Sequence, residues 1–361
     1  MKKINSKFIK LKFLNDLFSL ILIFLFGKSK LNRNGNSILV LDLHLLGDAV
    51  LDIPLIEAIK LNNNDKNIFF LTGSWNKPLF STIDVDFPVL YIDCPWIRSG
   101  SVGTFLKQLH NLKKQFSDYS WNYCIDVRGD FRNILILFYL RVGGIVSFAW
   151  TGGVYMLSRV VHDDGILKHL AAHHVMILNA LGINSTFEQY IPFIKLNSPS
   201  KRLKMFATLI HFGASKRLRS MPLDQAYSIF IKIRASHKRI IFVVDPSQQI
   251  EYTKAIESML VKLEFEYLMW KGELASLIAL IGRVTNVYAM DSGIAHLSAA
   301  LGKQVTVFFG PSDKNLVGPL GHHVINIQGQ DALTGVCASC DHEFCRSLEA
   351  MKCFRNIATK L

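Results

Sequence analysis

Nowhere in the 361 residues does an apolar run reach the roughly 20 positions that a membrane-spanning helix needs. The run over 17–26 is about half that length, so no crossing helix is expected there. There is no Gly-x-Gly-x-x-Gly and no Walker loop, which weakens a dehydrogenase and an NTPase reading alike. No zinc-finger spacing, helix-turn-helix pattern or aromatic RNA-binding motif accompanies the positive charge, so nucleic acid is not an expected partner. Acid is scarce, with 28 Asp and Glu against 41 Lys and Arg. The six cysteines form no secreted-type disulfide framework, which points to a reducing cytoplasm, and Cys94 and Cys124 read as buried thiols.

Half of the residues are hydrophobic, enough for sizeable cores, and the length suits about two domains. The net charge of +13 is concentrated: the first 34 residues hold eight Lys or Arg and one acid, Asp16. This segment has the basic start and apolar middle of a signal peptide, but Lys28, Ser29 and Lys30 stand where small cleavage-site residues would follow. It is read as a basic amphipathic helix on the membrane surface, with Phe13, Leu14, Leu17, Phe18, Leu20, Ile21, Phe24 and Leu25 on its apolar face. A helix packed on its own domain is the alternative. The expected location is cytoplasmic, peripheral on the inner face of the inner membrane.

Beyond this helix, short apolar runs alternate with helical patterns. Strands are expected over 37–43, 68–72, 89–92 and 123–127, and helices over 49–61, 105–116 and 131–141. Pro192 and the polar run 197–200 make the best linker. A second series follows, with strands over 207–210, 239–244, 267–270, 287–289 and 305–309 and helices over 223–233, 250–263, 274–283 and 294–301. The fold class is α/β, two Rossmann-like domains facing a central cleft. The expected segments are the helix 1–34, a first domain 35–195, a second domain 196–336 and a Cys-rich end 337–361.

The loops that join strands to helices carry the chemistry. Gly47 and Asp48 follow the first strand: glycine permits a tight turn, and an ionised acid there could take a proton from a hydroxyl. A plain helix-capping Asp fits the same residues. Asp291, Ser292 and Gly293 open a helix whose first N–H groups suit a phosphate. His296 lies within that helix, where a packed core histidine is the usual role. Gly310 and the residues after it follow the next strand and could wall the same pocket. The loop 211–219, with Ser215 and Arg219 beside Lys216 and Arg217, is either a diphosphate cradle or a solvated basic loop.

Together these segments resemble glycosyltransferase family nine, the ADP-heptose–lipopolysaccharide heptosyltransferases. The carriers are 38–60 (ILVLDLHLLGDAVLDIPLIEAIK), 123–133 (YCIDVRGDFRN), 211–215 (HFGAS) with Arg219, 271–281 (KGELASLIALI) and, most specifically, 290–313 (MDSGIAHLSAALGKQVTVFFGPSD). The resemblance implies a fold of GT-B type and an inverting reaction that needs no metal ion. It implies that Asp48 is the base on the acceptor hydroxyl and that Asp291 holds the donor sugar. Ser292, Gly293, Ser215 and Arg219 would contact the diphosphate, with His296 and Gly310 beside them. Gly47, Asp126, Arg128 and Arg132 fall on the acceptor side. The implied partners are a nucleotide-sugar donor (ADP-heptose), a lipid-linked acidic core oligosaccharide and a membrane surface.

Where many relatives have Gly-Gly-Pro and then an acid, this chain has Val244-Asp245-Pro246-Ser247-Gln248, which leaves open the ribose contacts and the nucleotide. Arg219 stands where some members have Lys, presenting a fork rather than a point charge. Cys337, Cys340, Cys345 and Cys353 could hold one structural zinc ion; reduced thiols packing a terminal hairpin are the alternative. Two other functions remain open on sequence: the same fold with a hexose or hexosamine donor, and a non-catalytic sugar-nucleotide-binding or lipid-binding protein, against which the presence of both Asp48 and Asp291 argues.

Overall fold

The computed structural model describes the chain apart from residues 1–5, 29, 33, 99, 167, 198–206, 215, 238, 244–249, 263–267, 271, 331–344 and 346–350. Two compact units result. One is Met1–Phe80 with Val85–Tyr190, the other Ser81–Asp84 with Ile191–Leu361.

In chain order the first part comprises α1 (Ser6–Phe26), β1 (Ser37–Asp42), α2 (Leu46–Leu61), β2 (Asn67–Gly73), α3 (Lys77–Phe80), β3 (Ile83–Asp84), β4 (Val89–Ile92), α4 (Val102–Phe116), β5 (Trp121–Asp126), α5 (Phe131–Leu140), β6 (Gly144–Ser147), β7 (Leu157–Val160) and α6 (Leu170–Ala180). Six strands form one parallel sheet in the order β4-β2-β1-β5-β6-β7. Every residue of β1 is buried, as expected of a central strand covered on both faces. Leu39, Leu41, Phe69, Leu71, Trp121 and Cys124 build one side of the core with α4 and α5. Strand order reverses between β1 and β5, and the loops after those two strands meet at the sheet's carboxyl edge, the switch point at which such sheets bind ligands.

The second part adds β8 (Lys195–Leu196), β9 (Thr208–His211), α7 (Leu223–Ser236), β10 (Ile240–Val243), α8 (Ile250–Lys262), β11 (Leu268–Trp270), α9 (Leu274–Ile281), β12 (Asn286–Met290), α10 (Gly293–Ala300), β13 (Gln304–Phe309), α11 (Lys314–Val317) and β14 (Val324–Gln328). Its parallel sheet runs β11-β10-β9-β12-β13-β14, and the two-residue strands β3 and β8 pair antiparallel. The reversal here lies between β9 and β12. Phe212, Phe230, Phe242, Phe308 and Phe354 form its core.

Two details differ from the periodicity reading. The second helix begins at Leu46 rather than at 49, which places Gly47 and Asp48 inside its first turn. Strands β6, β7 and β14 and helix α6 add to the expected pattern. The three strands have four or five residues each, too few for a period to declare itself.

Candidate functional site

In the first unit, Arg128 follows β5 and bridges two carboxylates, one at the end of β1 and one in the first turn of α2. Its Nε donates to Asp42 Oδ2 at 2.9 Å and its Nη2 lies 2.5 Å from Asp48 Oδ1. The Asp42 side chain is 1% exposed and that of Asp48 is 24% exposed, so Asp48 is the carboxylate that meets solvent. Burial alone would lower the proton affinity of Arg128; Asp42, Asp48 and Asp52 outweigh it and hold the guanidinium above its ordinary pKa. Asp48 occupies the third position of α2, where Oδ2 accepts the Leu45 N–H at 3.3 Å. It caps the helix from within rather than as the N-cap residue. Gly47 is the second residue of the helix and is not among the left-handed glycines, so it makes no tight turn.

Beneath this pair lies Asp52, fully buried one turn further along α2, with no donor facing either oxygen. Burial first, then Asp42, pushes its carboxyl well above the usual range. The surrounding hydrogen bonds have one consistent polarity. The Leu51 carbonyl can only accept, so Tyr190 Oη donates to it at 2.7 Å. The same oxygen then accepts from His174 Nδ1–H at 2.8 Å. That leaves a bare lone pair on His174 Nε2, 3.4 Å from Asp52 Oδ1. His174 is neutral: burial, with Arg128 adding, pulls its pKa down to about 3. Asp52 thus faces Asp42 and the His174 ring, and its burial favours the protonated carboxyl.

Asp126 is occupied by donors of its own unit. It is fully buried, and its oxygens take the side chains of Asn133 (2.9 Å) and Ser147 (2.7 Å) and the backbone of Arg128 and Asp130. Burial raises its pKa to about 6 despite these donors. Its role is to hold the loop that aims Arg128. Arg132 is half-exposed, chelated by Asp130 and stacked over Trp96 at 5.6 Å. Asp130 in turn caps α5 by accepting the Arg132 N–H.

In the second unit, Asp291 and Ser292 follow β12. Ser292 stands at the N-cap of α10 but makes no side-chain cap bond. Its buried Oγ has no hydrogen-bond partner, nor do Asp291 Oδ2 and, after the neighbouring strand β13, Ser312 Oγ. Arg219 approaches Asp291 loosely, with Nη1 3.5 Å from Oδ2. Buried polar atoms are ordinarily satisfied, so this group is a set of ligand-ready oxygens. Gly293 is the first residue of α10, and His296 lies on that helix's buried side. Gly310 has a packing reason: a Cβ there would stand 2.2 Å from the Phe354 ring. Lys216 and Arg217 are exposed, while Ser215 and residues 244–248 lie outside the described residues.

Cys337 and Cys340 also lie outside them. Cys353 is buried in the apolar core, and Cys345 Sγ accepts the Met351 N–H at 3.4 Å. Among the described residues, no group of three or more His, Cys, Asp or Glu could hold a metal ion.

Sequence reasoning missed Asp42, Asp52, His174, Tyr190 and Gln328. The one available signal was an acid, Asp52, inside an otherwise apolar stretch of helix. Gln328 uses its side-chain N–H groups on the carbonyls of Phe309, Gly310 and Ser312, and so shapes the loop after β13.

The sequence model of glycosyltransferase family 9 (heptosyltransferase) matches residues 109–342, well over half of the chain. The chain belongs to this family. No curated protein sequence matches it. Among solved structures, the family 9 glycosyltransferase of Veillonella parvula DSM 2008 is similar at a TM-score of 0.71 and 13% identity, over 92% of this chain and 99% of that one. The E. coli ADP-heptose lipopolysaccharide heptosyltransferase II gives 0.65 at 17% identity, over 83% and 91%. E. coli heptosyltransferase WaaC with ADP gives 0.63 at 14%, over 80% and 92%. At such identities the likeness establishes the fold, GT-B, and membership of family 9 makes the chain a glycosyltransferase.

Proposed function

We propose that this family 9 enzyme moves heptose from ADP-heptose onto an acidic, lipid-linked core sugar of lipopolysaccharide, inverting the anomeric centre without a catalytic metal ion. The observation that carries the reading is the set of buried oxygens of Asp291, Ser292 and Ser312 that have no hydrogen-bond partner, with Arg219 Nη1 3.5 Å from Asp291 Oδ2. A nucleoside diphosphate sugar supplies what each lacks. Phosphate oxygens accept from the serine hydroxyls, the first N–H groups of α10 and the Arg219 fork, and a sugar hydroxyl donates to Asp291. These donors do the work that a divalent cation would otherwise do on the leaving diphosphate. Further support comes from the neighbours solved with ADP and with ADP-2-deoxy-2-fluoro heptose, both E. coli WaaC.

Asp48 is the base in this reading. It is the solvent-facing carboxylate of the Arg128 pair, and taking the acceptor hydroxyl's proton makes that oxygen the nucleophile. Arg132, half-exposed, suits an acidic acceptor. Such an acceptor is carried by lipid, which places the enzyme peripherally on the cytoplasmic face of the inner membrane.

Calorimetry with ADP-heptose and a panel of hexose and hexosamine nucleotides tests the donor. Asp291→Ala and Arg219→Ala should each weaken ADP-heptose binding by about ten-fold or more, the worth of one charge-assisted contact. Turnover should survive EDTA. Unchanged binding by both variants, or tighter binding of a hexose nucleotide, would overturn the donor; a strict magnesium or manganese requirement would overturn the metal-free route.

A further inference from the structure

Helix α1 is attached to the first unit by its polar side. Lys12 Nζ donates to the Ala149 carbonyl and Asn15 Nδ2 to the Thr151 carbonyl, each at 2.7 Å, while Asp16 Oδ1 accepts the Val154 N–H at 3.1 Å. Ser19 is fully buried, and Leu22 and Ile23 pack on the core. Positions 12, 15, 16, 19, 22 and 23 recur at the three- and four-residue spacing of one helix face. Gly152, with φ +108°, is where the chain comes closest: a Cβ there would lie 2.6 Å from Asn15 Cβ and 2.9 Å from the Lys12 carbonyl.

The opposite side is apolar and faces water. Phe13 is 66% exposed and Phe24 89%, and Leu14, Leu17, Ile21 and Leu25 continue the patch. An apolar face of this extent on a soluble surface marks something that covers it. The rim identifies the cover. Lys10, Lys28 and Lys30 are exposed at its two ends, and the only acid among the first 34 residues, Asp16, is turned inward. The helix therefore offers apolar side chains with cations at both ends and no outward carboxylate of its own. Headgroup phosphates match the cations, and acyl chains match the face between them.

We propose that the outward face of α1 is the surface through which this protein seats itself in the interfacial layer of an anionic bilayer. The helix lies in the layer and does not cross it: among the described residues, no helix is long and apolar enough to span a membrane. Because α1 is held by side-chain bonds to residues 149, 151 and 154, seating it also fixes the orientation of the first unit at the lipid surface. The inference deepens the membrane-borne acceptor proposed above and rests on that reading only there; the surface itself is independent of which sugar is transferred.

The test is flotation of the full chain with vesicles of phosphatidylglycerol and phosphatidylethanolamine. The comparison is a triple variant, Phe13→Ser, Leu17→Ser and Phe24→Ser, which leaves the docked face intact. The parent should float at low salt, less so at high salt and with neutral phosphatidylcholine vesicles. The variant should partition about ten-fold more weakly, with its Tm, sedimentation and turnover on a delipidated acceptor unchanged. Three results would overturn the proposal: no flotation of the parent at low salt, equal flotation of the variant, or a parent dimer that the variant converts to monomer without any flotation. The last assigns the face to a second copy of the chain. Flotation without turnover on the delipidated acceptor would count against the proposed reaction and leave the surface standing.

Discussion

At the residue scale the most consequential side chain is one that touches no solvent. The protonated form of Asp52 is favoured by its burial and then by the Asp42 carboxylate, and neither oxygen has a hydrogen-bond partner. A carboxyl whose pKa is raised by folding binds its proton more tightly in the native state. Stability is then full below the unfolded value and falls as pH rises through the interval up to the native one. Asp52→Asn keeps the shape and supplies N–H donors, so it removes that loss. Its Tm should rise relative to the parent as pH rises above the usual carboxylate range, as followed by scanning calorimetry; a gap that stays flat or narrows with pH would mean that folding does not raise the Asp52 pKa. His174 acts in the opposite sense, since its depressed pKa costs stability as pH falls below about 6.5 toward 3. Arg128 is the counterpart case. Arg128→Gln leaves Asp42 buried without its cation, which should cost about 3–5 kcal/mol. Arg128→Lys should recover part of it, because the charge returns without the two-pronged geometry. Denaturant titrations that find Arg128→Gln within about 1 kcal/mol of the parent would remove the bridge from the stability of this unit.

At the element scale, the proposed chemistry draws on the first turns of α2 and α10. Helix α2 begins early because the Asp48 carboxylate turns back to the Leu45 N–H, which satisfies an otherwise orphaned first-turn donor. Helix α10 lacks such a cap, and the buried Ser292 hydroxyl has no hydrogen-bond partner. The loop after β13 is held differently, by Gln328 on three carbonyls and by the Phe354 ring lying against Gly310. Gly310→Ala should therefore destabilise by about 1–3 kcal/mol through overpacking. Phe354→Leu in the same chain should give part of that back, a non-additivity that a double-mutant cycle reads directly. Additive costs would mean that the glycine answers to something other than the ring.

At the scale of the whole molecule, the proposed chemistry is split between two units that have separate cores, with the base on one and the donor group on the other. Substitutions in them should separate kinetically. Asp48→Ala should lower kcat about 10²–10⁴-fold, the usual worth of a positioned base, while ADP-heptose affinity measured by calorimetry stays within about two-fold. A matching loss of donor affinity would place Asp48 in the donor's own environment and end its assignment as base.

The alternation of strand and helix, the placement of the 290–313 segment at a strand-to-helix junction and the family resemblance were all legible in the chain. Apolar periodicity and turn residues are local properties, and a parallel sheet is built from repeats of them. What only the tertiary structure decided are matters of partnership between distant residues. Asp126 accepts from Asn133 in the interior, Gly310 lies against the Phe354 ring, and Asp52 is a carboxyl whose burial favours its protonated form. The N-terminal helix turned its polar side inward through bonds to residues 136 and 137 positions away. Arg128 and Asp42 are separated by 86 positions and Tyr190 and Leu51 by 139. A carboxylate's burial, charge and hydrogen-bond direction follow from whichever groups the fold brings against it, and no local pattern carries that information.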